Sequence, residues 1–173
     1  MCRFFYLTRI RKQENMNTKS TWTHFWDMSS GGSRKEKFKH CFIEAPEEEA
    51  KIIFYNRFGH NPERVSCTCC GEDYAISQED DLLALTAYQR GCRSAYFKDG
   101  VELSESESTW DIRKNDSSIT WSYIEEAETT KYSKTYIALE DYMKSDDTCF
   151  IFANEIKDEE RIGDVPEQGY IWR

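Results

Sequence analysis

The chain lacks what membranes and secretion require. Nowhere do about 18 apolar residues run together, so no segment is built to cross a bilayer as a helix. The opening Met1-Cys2-Arg3-Phe4-Phe5-Tyr6-Leu7 is too short an apolar run for a signal peptide, and no small-residue cleavage site follows it. Without a secretion signal, an odd count of seven cysteines reads as thiols in a reducing cytoplasm rather than a disulfide framework. Histidine is scarce, with three residues, and none is followed by Glu two positions on: Trp26, Phe42 and Pro62 stand there. That excludes the His-x-Glu pattern of a zinc deaminase. Ser29-Ser30-Gly31-Gly32-Ser33 lacks the spacing and the Gly-Lys-Ser/Thr ending of a phosphate loop. It reads as a hairpin loop, with a backbone anion cradle as the alternative. There is no internal repeat and no domain break.

Basic residues are also short where they would matter for nucleic acid. To residue 45 the chain holds nine Lys/Arg and four Asp/Glu, a net of +5. From residue 46 it holds fourteen Lys/Arg and twenty-eight Asp/Glu, a net of −14. Such a body repels a phosphate backbone and binds no nucleic acid directly. It could instead occupy a basic, nucleic-acid-binding groove on another protein. The plainer reading is a surface that keeps the protein dissolved.

What is present is a core. The length of 173 residues suits one domain, and ten Phe, ten Tyr and five Trp can bury much area. Residues 1–20, basic and then polar without period, read as a flexible extension, with Met16 a candidate for the true start. Residues 21–173 read as a single α+β domain with a mainly antiparallel or mixed sheet. Two main helices are expected, at 46–58 and 78–90, with a Cys-rich knuckle between them.

The first helix is signalled by Pro46 at its start and Glu47, Glu48 and Glu49 at the positive end of the dipole. Ala50, Ile53, Phe54 and Phe58 form its apolar stripe, and Gly59 stops it. The second is opened by Ser77-x-x-Asp80 as a capping box and closed by Gly91. Thr21–Met28 and Lys37–Ile43 alternate as a hairpin pair. Asp99-Gly100 marks a second hairpin between 92–97 and 101–103. Ile119–Ile124 reads as another strand, and Thr135–Ala138 as a short one. Residues 125–134 and the acidic run 104–108 read as loops. Thr148–Ala153, the most apolar run, predicts a central strand. The terminal Tyr170 and Trp172 suggest docking of the tail onto the body.

The stretch from Phe58 to Tyr74 carries three cysteines and His60. Cys67 and Cys70 form Cys-x-x-Cys with Gly71 next, the form of a zinc knuckle, where backbone amides can bond the thiolates. A structural zinc needs four ligands. Cys67 and Cys70 supply two; Cys92 is the first candidate for the rest, then His60, then His40 or Cys41. The alternative is that these are buried thiols. Thioredoxin-like chemistry would need the pair to open a helix after a strand, which this order does not give. The setting, a corner between two helices, favours a structural site over a catalytic one, and no residue is assigned to catalysis. His24 reads as a core histidine. Glu155-x-Lys157 resembles the tail of a nuclease motif but reads as solvated surface.

In order along the chain, Phe25-Trp26-Asp27-Met28-Ser29-Ser30-Gly31-Gly32, Ile43 to Ala50, Arg57 to Pro62, Val65 to Tyr74, Asn154-Glu155-Ile156-Lys157 and Val165 to Trp172 form a specific set. With these blocks, from about Thr21 to its end, the chain resembles a group of accessory proteins of tailed bacteriophages. The resemblance implies a phage product acting in the host bacterial cytoplasm, and it gives no residue a role. Three functions are then expected in competition. One is an inhibitor that binds a host defence or nucleic-acid-handling protein, of the anti-CRISPR or anti-restriction type. The others are a structural or regulatory zinc-stapled protein, and a metal-dependent enzyme acting on a nucleotide or nucleic acid.

Overall fold

The structure, a computed structural model, describes residues 20–104, 116–125 and 136–167. Residues 1–19 of the expected N-terminal extension, 105–108 of the acidic run, 126–134 of the expected loop, Thr135 of the expected short strand and the terminal aromatics lie outside the described residues. The fold is α+β. One sheet of four strands has the order β3-β1-β2-β7, from β1 (Trp22–Asp27), β2 (His40–Ile43), β3 (Tyr74–Glu79) and β7 (Thr148–Ile151). β1 pairs antiparallel with both β2 and β3, and β7 lies parallel to β2. A second, antiparallel sheet of order β5-β4-β6 is built from β4 (Arg93–Lys98), β5 (Val101–Glu102) and β6 (Ile119–Ile124). The helices are α1 (Glu47–Phe58), α2 (Leu82–Ala87) and the single turn α3 (Leu139–Tyr142). Among the described residues, no helix is long and apolar enough to cross a membrane.

Alternation along the strands loads both faces of the first sheet. Phe25, Cys41, Ile43, Tyr74 and Ile151 face one way and pack with Ala50, Ile53 and Phe54 of α1. Phe54 is the centre of this layer: its ring lies 4.7 Å from Phe25, 4.7 Å from Phe58 and 5.1 Å from Tyr74. Full burial of one such side chain stabilises by about 2–3 kcal/mol. Trp22, Phe42 and Phe150 face the other way, against Leu82 and Leu85 of α2 and Tyr142 and Met143 beside α3. α1 stops where Gly59 turns into the left-handed region (φ 76°), its amide bonding Tyr55 O at 2.8 Å. Pro46 sits one residue earlier than expected, at the N-cap. Lys51, although on this helix's buried side, is held by Glu47, Glu48 and Glu63 at 2.8–3.1 Å.

Three expectations differ from what is observed. α2 starts at Leu82, and its cap is Asp81, whose carboxylate accepts from Leu83 N at 2.9 Å. Ser77 belongs to β3, opposite His24; the long-range ladder outcompetes the local cap. β7 is an edge strand rather than a central one. Its apolar run is explained by cover on both faces, Ile151 toward α1 and Phe150 toward Tyr142. Residues 136–138 form no strand. The Asp99-Gly100 hairpin forms as expected, both residues at positive φ (52° and 78°), the signature of a type I′ turn.

Candidate metal centre

The loop after α1 is fixed from below by a buried carboxylate. Asp73, 1% exposed, accepts from Ser66 N (2.9 Å) and Ser66 Oγ (2.6 Å), while its own amide donates to Arg64 O (2.8 Å). Its carbonyl takes Met28 N at the end of β1. The Gly-rich loop supports the other side: Ser30 Oγ donates to Gly71 O at 3.1 Å. That loop is a single 3-10 turn at Ser30–Gly32, and the Asp27 carboxylate accepts from the amides of Ser29 and Lys35 (2.6 Å each).

Between these supports, residues 67–71 make a tight turn. Cys70 N and Gly71 N both donate to Cys67 O, at 3.1 and 3.0 Å. Gly71 is left-handed (φ 81°), and Cys67 and Gly71 face each other as an isolated bridge. The turn gathers three sulfurs. Cys67, Cys69 and Cys70 have their Sγ atoms within 4.8 Å of one another. Cys67 is half-buried and the other two are exposed. Cys67 and Cys69 lie 2.6 Å apart, and Cys69 and Cys70 3.6 Å apart. Two thiolates on one tetrahedral zinc stand about 3.8 Å apart, given a Zn–S bond of about 2.3 Å. The Cys69–Cys70 spacing already suits this; Cys67 and Cys69 would have to part by about 1 Å.

The electrostatics prepare one thiolate. Hydrogen bonds from Cys69, then from its amide and from Cys70, lower the Cys67 thiol to about 7. The donating partner moves the other way: Cys69 is pushed up to about 11 by its bonds to Cys67 and Cys70. The set can hold one thiophilic ion through up to three protein ligands.

Cys67 and Cys70 are thus brought together, and Cys69 joins them. His60 and Cys92 stand in other surroundings. His60 stacks on Tyr74 with ring centres 5.8 Å apart. Its Nε2 meets Tyr74 Oη at 3.1 Å and its Nδ1 meets Phe58 O at 3.2 Å, with Glu36 at 3.6 Å. Cys92 follows α2, its amide on Ala87 O, and burial raises its thiol. His40 contacts His24, and Cys41 lies opposite Cys149 across β2 and β7. Burial raises the Cys41 thiol, while its hydrogen bond lowers Cys149. Glu155 folds back to bond Phe152 N at 3.3 Å, and Lys157 pairs with Glu159. Sequence reasoning passed over Cys69 because Cys-x-x-Cys draws attention to its ends; three thiols in four residues was the signal.

The fold and site define an α+β protein carrying a three-thiol loop. No protein-family model, curated protein or solved structure matches the chain.

Proposed function

We propose that the protein is an accessory protein of a tailed bacteriophage that binds a basic, nucleic-acid-handling protein in the host cytoplasm and blocks it, in the anti-CRISPR or anti-restriction manner. The observation that carries this is how the charges are matched. Among the described residues from position 46 on, every Lys and Arg but Arg64 is already ion-paired with a carboxylate: Lys51, Arg57, Arg90, Arg93, Lys98, Lys144, Lys157 and Arg161. Exposed Glu72, Glu79, Glu140, Asp146, Asp158 and Asp164 have no such partner among those residues. The excess negative charge therefore faces outward uncompensated, as a surface that complements a basic groove and speeds encounter with it. In the same reading, one zinc ion on Cys67, Cys69 and Cys70 stiffens the loop and does no chemistry.

The test is affinity capture of host proteins on the full chain at low and at high salt. One basic protein should be captured, be released by salt, and lose its nucleic-acid activity when the chain is bound. No salt-sensitive partner, or a partner whose activity is untouched, refutes the reading. Native mass spectrometry of the same preparation should show one zinc per chain, removed by chelator and absent from Cys67→Ser/Cys70→Ser. A mass that chelator leaves unchanged removes the metal from the proposal.

A further inference from the structure

Apart from the cysteine loop the chain has a cleft whose lining is acidic and aromatic rather than thiol. It measures about 630 Å³ and is lined by the end of β3, by α2 and by β6. Its size falls in the range of ligand-binding clefts, about 300–1,000 Å³. Three carboxylates line it, Glu79, Asp81 and Glu125, against a single guanidinium, Arg90. That guanidinium is already engaged, with Nη2 on Glu125 Oε1 at 2.5 Å and Nε on Thr86 Oγ1 at 2.9 Å. Asp81 uses Oδ1 to cap α2. Glu79 is exposed and pairs with no cation among the described residues. Two large aromatics also line the cleft with more than half of their surface in water, Tyr88 at 62% and Trp121 at 59%.

Exposed aromatic faces beside an unpaired carboxylate are what a cation needs. The face of Trp attracts a positive charge, and a carboxylate neutralises it. A planar guanidinium satisfies both at once, stacking on a ring while forking onto two oxygens, which a lysine ammonium does less well. Trp, Tyr and Arg are also the side chains on which protein interfaces concentrate their affinity. We propose that this cleft is the site where the basic partner protein inserts an arginine side chain, stacked on Trp121 and paired with Glu79. This rests on the reading of the protein as a binder of a basic protein and assigns that partner its point of contact.

The test titrates the full chain with an octa-arginine peptide by calorimetry in low-salt buffer. Trp121→Ala and Glu79→Lys should each weaken binding about tenfold. Asp158→Lys changes the net charge as Glu79→Lys does, but on an exposed 3-10 turn away from the cleft; it should change affinity by no more than about twofold. Both cleft side chains are exposed, so unchanged thermal melting accompanies the loss. Equal weakening by Asp158→Lys and Glu79→Lys overturns the proposal, because charge alone then suffices. Wild-type affinity in Trp121→Ala overturns it as well. In the host capture experiment, a partner held equally by wild type and Trp121→Ala removes the cleft but leaves the binding function standing. A wild-type chain that captures nothing removes that function, and the proposed partner contact with it.

Discussion

At the scale of single residues, the side chain most out of place by its chemistry is His24. It is 3% exposed, stacks on Phe42 at 4.3 Å, and its Nε2 meets His40 Nδ1 at 3.0 Å. Burial, and then the charge on His40, push its pKa from 6.5 down to about 3. The folded chain therefore refuses a proton that the unfolded chain accepts. Above pH 6.5 both states hold His24 neutral and it costs nothing. Between 6.5 and about 3 the unfolded state binds more protons, and stability falls as pH falls, by about 1.4 kcal/mol per pH unit from this group. Urea unfolding of wild type and His24→Phe at a series of pH values should give curves that diverge below pH 6.5, the variant losing stability more slowly. Parallel curves would show that His24 is not the source. Position 24 on an aromatic strand face was enough to read this histidine as core; its partner was not readable, because His40 enters only through the pairing of two strands.

At the scale of elements, the second helix separates what is local from what is not. Ser77-x-x-Asp80 is a fair capping box in isolation, yet Asp81 caps α2 and Ser77 pairs in β3. Asp81→Ala should therefore cost about 1 kcal/mol, whereas Ser77→Ala, on an exposed strand position, should stay within about 0.5 kcal/mol. Chemical denaturation of both variants checks this; the reverse order would restore the earlier helix start. The same division runs through the fold. Asp99-Gly100 and the Gly59 stop were legible because a turn or a cap is settled by adjacent residues. The apolar run at 148–153 announced burial but not position, since a strand covered on both faces reads alike at the edge and in the centre. The three-thiol loop was legible in its turn, from Cys67 to Gly71, and illegible in its wider partners. No spacing told that His60 would lie on Tyr74 or that Cys92 would stay out of the cluster of Cys67, Cys69 and Cys70. The cleft left no trace in sequence at all, because Tyr88 and Trp121 come from different parts of the chain and line one cleft only after folding.

At the scale of the whole molecule, the two sheets need a tie, and Arg90 is placed to be one. It lies just past α2 and is fully buried. Its guanidinium bonds Thr86 Oγ1 and Leu83 O on the α2 side, Glu125 at the end of β6, and Ile137 O before α3. Its carbonyl receives Ile137 N at 2.8 Å. One side chain thus joins a helix of the first layer to a strand of the second sheet. Removing it takes one donor from each of a carboxylate, a hydroxyl and two carbonyls. Arg90→Met, which keeps apolar bulk, should cost about 2–4 kcal/mol, because buried acceptors lose the hydrogen bonds of a charged donor. Arg90→Lys should recover only part of that, because an ammonium cannot reach three directions as a planar fork does. Glu125→Gln should cost much less, about 1 kcal/mol, because its side chain is 43% exposed and water can take its place. Urea unfolding followed through far-ultraviolet circular dichroism and tryptophan emission measures all three. If Arg90→Met and Glu125→Gln cost the same, the buried guanidinium is no more than a surface ion pair, and the sheets are held together by their apolar contacts alone.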